Sequence, residues 1–171
     1  MMNQKTKFLA LNGIVAALYM VITMLIQPIA FYGLQFRIPE MFNHLVVFNK
    51  KYFFGIVIGV FFANLFFSPM LWLDLIFGVG HTIICLSITI LLERYIKNIW
   101  ARLLLNSCVF SFMMFIIALE LEVAEAMIQL ENPLSFGQNW LLMAIGEFAV
   151  MAATAPIMYA VDKKVHFAKS F

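Results

Sequence analysis

A succession of apolar runs constrains this chain more than any motif does. They cover residues 8–26, 41–48, 53–67, 71–92, 103 to about 129, and 140–161. Gln27-Pro28, Asn49-Lys50-Lys51, Ser68-Pro69, Glu93-Arg94-Tyr95, Asn132-Pro133 and Asp162-Lys163-Lys164 separate or close them. A helix needs about 20 apolar residues to cross a bilayer, and fewer where protein shields it. Composition agrees: 64% of the 171 residues are hydrophobic and 12% charged, with mean hydropathy +0.97. So few charges cannot coat a water-facing surface, which excludes an ordinary soluble enzyme. Nineteen Phe exclude a disordered segment. The expected fold is an all-α integral membrane protein of the cell membrane, a single domain over residues 1–171. Six helices are expected at about 8–27, 37–48, 52–67, 71–92, 102–130 and 138–161.

Charge placement orients the bundle. With the N-terminus in the cytoplasm and six alternating crossings, Lys5, Lys7, Lys50, Lys51, Arg94, Lys97, Arg102, Lys163, Lys164 and Lys169 fall inside, and Arg37 alone falls outside. Basic residues are retained on the cytoplasmic side during insertion, so both termini are expected there. The same asymmetry makes the short 41–48 run a crossing. The run 8–26 is too long for a signal peptide and lacks a small-residue cleavage site. Cys85 and Cys108 lie in apolar runs and form no disulfide framework. A net charge of +2 gives no case for nucleic acid.

The acids show the opposite bias. Glu93 and Asp162 lie at the inner edge, whereas Glu40, Asp74, Glu120, Glu122, Glu125, Glu131 and Glu147 lie in the outer half. A carboxylate within a membrane segment is costly and marks a functional candidate. Helical geometry sorts them by face. Asp74, Gly78 and His81 share a face at i, i+4 and i+7. Phe115, Ala118, Glu122, Glu125 and Gln129 share another, with Glu120 and Glu131 pointing roughly away and expected to be solvated. Trp140, Met143, Ala144, Glu147 and Met151 form a stripe, with Glu147 roughly 10–12 Å below the outer end.

Every candidate has a plainer alternative. Glu147 could fix helix packing, His81 could donate to a carbonyl, Asp74 could be solvated, and Glu122 and Glu125 could sit at an exposed helix end. Trp140 is a stacking candidate or an interfacial anchor, and Asn64 a ligand contact or interhelical glue. Gly13-x-x-x-Ala17 and Gly55-x-x-x-Gly59-x-x-x-Ala63 permit close helix approach, within the bundle or against a partner. No phosphate-binding loop, H-E-x-x-H or G-x-S-x-G motif occurs. The spacing of the acids and histidines supports no metal site. Carboxylates among aromatics suit a flat ligand rich in N–H donors or positively charged.

The segment Gln35-Phe36-Arg37-Ile38-Pro39-Glu40, following the first helix of a small six-helix bundle, resembles the Q-F-R-[IV]-x-E segment of the QueT family. These are substrate-binding S-components of energy-coupling-factor (ECF) transporters. The resemblance implies uptake of a queuosine precursor, 7-aminomethyl-7-deazaguanine. One acid, Glu147 foremost, would take the guanine-like edge, and another from Glu122, Glu125 or Asp74 the ammonium. Arg37 and Glu40 would order the external loop. Gly13 and Ala17 would dock on a transmembrane coupling subunit, and two ATPase subunits would use ATP, with no cofactor in this chain. A subunit for another flat cation such as thiamin, an intramembrane enzyme using Glu147 and His81, and a structural subunit without ligand are the alternatives.

Overall fold

The computed structural model describes residues 3–30, 37–130 and 134–170. Gln35, Phe36, Glu131 and the Asn132-Pro133 break therefore lie outside the described residues. The described residues form helices joined by short turns, with no strand among them, and five stretches are long and apolar enough to span a membrane: Gln4–Ile26, Lys50–Phe67, Leu71–Glu93, Ile99–Met127 and Phe136–Val165.

Helix α1 (Gln4–Ala30) runs past the expected stop at Gln27. Pro28 falls in its last turn, where a missing N–H costs one hydrogen bond rather than the helix. A 3-10 helix, Ile38–His44, then passes directly into α2 (Leu45–Phe48). After a further turn come α3 (Phe53–Phe67), α4 (Leu71–Leu73), a π-helical turn at Asp74–Gly78, and α5 (Val79–Glu93). The fifth run is two helices, α6 (Ile99–Phe112) and α7 (Phe115–Met127), and the last is α8 (Phe136–Val165). Two starts come earlier than the apolar pattern alone predicts. Asn98 caps α6 by accepting from the N–H groups of Trp100 and Ala101. Ser135 and Gln138 form a reciprocal capping box on α8.

Helices α1 and α3 pack in parallel. Phe8 meets the Phe54 ring, Asn12 Oδ1 accepts from Gly55 N at 2.6 Å, and Tyr19 and Ala16 meet Gly59. Parallel neighbours require the chain to return between them, and residues 37–49 are the described part of that return. This described segment is too short to cross a bilayer alone: seven 3-10 residues and four α residues rise about 20 Å. It has no need to face lipid. Glu40, Asn43, His44, Leu45 and Val46 are all at most 1% exposed. A polar chain holds this segment at the centre. Thr89 Oγ1 donates to Asn106 Oδ1 (2.9 Å), Asn106 Nδ2 donates to His44 Nδ1 (3.2 Å), and His44 Nε2 donates to the Met151 carbonyl (2.9 Å). Each group is satisfied, as a buried polar network must be to favour the fold.

One end of the bundle gathers basic residues. Lys5 and Lys51 line one groove with Gln4, Phe8 and Leu9. Asn49 donates to the Phe167 and Ala168 carbonyls, and Glu93 lies within electrostatic reach of Arg102 and Lys50.

The two small-residue stripes have different uses. A Cβ on Gly59 would sit 2.8 Å from Tyr19 Cβ and 3.2 Å from Ala16 Cα, atoms at the root of α1 that cannot swing away. Gly13 has nothing within 4 Å of that position, and both it and Ala17 face outward. Gly59→Val should therefore cost about 2–3 kcal/mol by forcing the helices apart, while Gly13→Val stays within about 0.5 kcal/mol. Thermal midpoints of the two variants in detergent check this pair; equal midpoints would mean that α1 and α3 are not in close contact.

Candidate functional site

The site begins on α1. Asn12, Tyr19 and Thr23, at i, i+7 and i+11, form a buried polar stripe down a helix that is otherwise apolar. Tyr19 hydroxyl donates to Glu40 Oε1 at 3.1 Å, and Arg37 Nη2 meets the same oxygen at 3.1 Å. Asn43 Nδ2 donates to Glu40 Oε2. Glu40 is thus buried but saturated: its charge is matched by Arg37 and both oxygens are occupied. It ties the 3-10 helix to α1 and holds the Arg37 guanidinium inside the bundle.

Glu147 is placed beside this cluster by α8. It lies eleven residues from Phe136, about 16 Å along the helix, so the early start of α8 puts it deeper than expected. Its side chain is 1% exposed, and neither carboxylate oxygen has a hydrogen-bond partner among the described residues. Glu40 and Arg37 lie within electrostatic reach. Burying a charge without direct partners is expensive, and such groups persist where a ligand completes them.

A second group of carboxylates forms where α7 meets the π-helical turn. Ser68 hydroxyl donates to Asp74 Oδ2, and Asn64 Nδ2 donates to the Asp74 carbonyl at 2.9 Å. That contact needs Gly78: a Cβ there would lie 2.8 Å from Asn64 Nδ2. Glu120 reaches the Asp74 carboxylate from α7. It is 1% exposed, and neither oxygen accepts a hydrogen bond from a described donor. His81 is fully buried, with Nε2 set 3.4 Å from the Phe110 carbonyl and Nδ1 unpartnered among the described residues.

The face expected to carry the acids of this helix is therefore not the one turned inward. Glu120, expected to be solvated, is buried; Glu122 is exposed and Glu125 half-buried. The bend between α6 and α7 accompanies this placement. Ile116 N–H bonds to the Met113 carbonyl, a three-residue step that leaves the Phe112 carbonyl for Trp140 Nε1 at 3.0 Å. Ser111 hydroxyl bonds across to the Ala144 carbonyl at 2.7 Å. These contacts orient α7 so that Ile117, Ala118, Glu120 and Ala124 point inward. Trp140 spends its N–H on the bend and packs its ring against Phe136 and Phe112. Asn64 serves as interhelical glue through Asp74.

Arg37 links the two groups of carboxylates. Glu40, Glu147 and Asp74 all act on it electrostatically, and it acts on Glu120 and His81. Four carboxyl groups thus share one guanidinium, and its close ion pair is with Glu40. Among the described residues, the unpartnered buried atoms in this region and its surroundings are Asn43 Oδ1, His81 Nδ1, both oxygens of Glu120 and of Glu147, and Asn139 Nδ2. All but the last are acceptors, given His81 Nε2–H donating to Phe110. The arrangement can hold a donor-rich or cationic guest. No three or more metal-ligating side chains come together among the described residues.

Sequence reasoning passed over Tyr19, Asn43, His44, Asn106 and Glu120. The polar spacing on α1 would have found Tyr19. With acids and apolar residues on both sides of α7, nothing in its pattern would have chosen Glu120 over Glu122.

The QueT transporter family model matches residues 9–163. A curated relative, the queuosine precursor transporter QueT of Lactococcus lactis subsp. cremoris (strain MG1363), is 35% identical over 178 residues, covering 99% of this chain and 100% of the relative. No solved structure matches significantly. Family and relative are transporters rather than enzymes, and the apolar helices make this a multi-pass protein of the plasma membrane. With the match running across nearly the whole length, the chain belongs to the QueT transporter family.

Proposed function

We propose that this chain is one membrane domain serving as the substrate-binding subunit of an ECF-type uptake system, with 7-aminomethyl-7-deazaguanine as its ligand. The observation that carries the ligand reading is the set of buried, unpartnered acceptors around Arg37. A deazaguanine presents adjacent N–H donors along one edge, and its aminomethyl arm adds an ammonium. Glu147 can accept two parallel hydrogen bonds from the edge, the strong form of carboxylate recognition. Arg37 and Glu40 order the segment that brings this carboxylate its neighbours. Asp74, His81 and Asn64 complete the surroundings of the site, and Glu125 and Trp140 flank it. The relative's name agrees with this ligand class.

Six crossings with both termini in the cytoplasm fit the parallel packing of α1 and α3 and the basic end of the bundle. Substrate then enters from the opposite side. Release inside calls for a transmembrane coupling subunit and two ATPase subunits that consume ATP, and this chain needs no cofactor of its own. The outward small-residue face at Gly13 and Ala17 is the docking surface for the coupling subunit.

Isothermal titration of the purified chain with 7-aminomethyl-7-deazaguanine, with guanine, thiamin and riboflavin as comparators, tests the ligand. Selective binding of the deazaguanine is expected; binding of thiamin alone would overturn the substrate. Docking has a separate test. Gly13→Trp with Ala17→Trp should cut cellular uptake of labelled ligand at least tenfold while leaving titrated affinity unchanged. Undiminished uptake would move the docking surface elsewhere.

A further inference from the structure

We infer that Glu120 and Asp74 form a second subsite, distinct from Glu147, that takes an alkylammonium group and so selects the ligand's side arm. The inference rests on the deazaguanine reading and assigns a role to a residue that reading does not require.

Glu120 is buried on α7 with no described donor on either oxygen, and its carboxylate lies against that of Asp74. Two facing carboxylates repel, and low-dielectric surroundings strengthen that repulsion. The cation that acts on Glu120 is Arg37, whose close contact is spent on Glu40. Asp74 is held in place rather than free to turn away. Its carboxylate accepts from Ser68, its carbonyl from Asn64, and the π-helical turn carries both. Such turns recur at functional sites because they displace one residue from the regular helix. Gly78, one turn along, lets the Asn64 amide close onto this turn: a Cβ there would lie 2.8 Å from Asn64 Nδ2 and 4.0 Å from Asp74 Oδ1.

An ammonium suits this geometry. It brings three donors and a compact charge to Glu120 oxygens that lack both and to an Asp74 carboxylate that has Ser68 as its donor. A planar amidine-like edge needs one carboxylate approached side on, which Glu147 supplies. The two subsites therefore divide the ligand: Glu147 reads the ring, and Glu120 with Asp74 reads the arm.

Titration of purified wild type, Glu120→Gln and Asp74→Asn with 7-aminomethyl-7-deazaguanine and its 7-hydroxymethyl analogue tests this division. The analogue keeps the ring and the size of the arm but removes the charge. Wild type should prefer the amine by about 30-fold, the scale of one charge-assisted hydrogen bond. Glu120→Gln should reduce that preference to about threefold or less while changing affinity for the hydroxymethyl compound little. Glu147→Gln should weaken both ligands alike. A preference that survives in Glu120→Gln, or an equal loss of both ligands there, would overturn the subsite and leave the ligand reading standing. Wild type binding neither compound would overturn the ligand reading and this assignment with it. Should Glu120→Gln fail to fold, Asp74→Asn carries the test under the same criteria, since Asp74 is only half-buried.

Discussion

Glu147→Gln should lose at least a hundredfold in affinity for 7-aminomethyl-7-deazaguanine and yet melt higher than wild type when empty. The two effects have one cause. Glu147 is buried with no hydrogen-bond partner on either oxygen among the described residues, and the Glu40 carboxylate lies within reach. In the empty protein its charge is unfavourable, because desolvation is uncompensated and a like charge is nearby. The amide has the same shape and no charge, and its N–H groups can donate to neighbouring acceptors. The empty variant should therefore gain a few degrees. Binding shows the reverse, because a pair of charge-assisted hydrogen bonds becomes at best one neutral bond. A loss of about 3 kcal/mol follows, corresponding to the hundredfold change. Titration and thermal melting on the same preparation separate the possibilities. Unchanged affinity would remove Glu147 from the site. Lost affinity together with a lower midpoint would make it a structural group.

The parts of this molecule that were legible in the sequence are those governed by hydropathy and by charge at the ends of runs. Helix existence, the breaks at Ser68-Pro69 and at Glu93-Arg94, and the placement of Glu147 inside the last run rather than at its end all follow from the cost of polar groups in lipid. Boundaries were less visible where a cap, rather than an apolar residue, starts the helix, as at Asn98 and Ser135. Facing direction was the harder problem. A soluble helix shows its buried side as an apolar stripe, whereas a membrane helix is apolar all round. The relative placement of Glu120 and Glu122 on opposite sides of α7 was readable. Which side faced inward was decided by the Phe112–Trp140 and Ser111–Ala144 contacts, between residues some 30 positions apart. The same limit hid the different uses of the two small-residue stripes. Gly55 and Gly59 on α3 close onto α1, whereas Gly13 on α1 has no neighbour within 4 Å, although the spacings look alike.

Arg37→Met should lower the thermal midpoint more than any other single change at the site, and Glu40→Gln in the same chain should restore most of the loss. Glu40 is fully buried, and Arg37 is the cation that meets it, at 3.1 Å. Removing one partner of a buried pair leaves the other charge uncompensated, at a cost of about 3–5 kcal/mol. Tyr19 and Asn43 would still donate to the stranded carboxylate, so the lower half of that range is expected. Glu40→Gln alone should be milder. Arg37 stays within electrostatic reach of Glu147 and Asp74 and can settle against a different acid. Combining the substitutions removes both charges while the glutamine oxygen still accepts from Tyr19. The double variant should therefore melt well above Arg37→Met, and the non-additivity measures the pair. The consequence extends past stability, because the pair fixes the 3-10 helix against α1 and keeps Arg37 among the carboxylates. A double variant that folds but binds weakly would identify Arg37 as the group that sets the charge balance of the empty site. If Arg37→Met melts like wild type, the Arg37–Glu40 pair does not anchor this segment, and the Tyr19–Glu40 bond with the chain from Thr89 through Asn106 to His44 holds it instead.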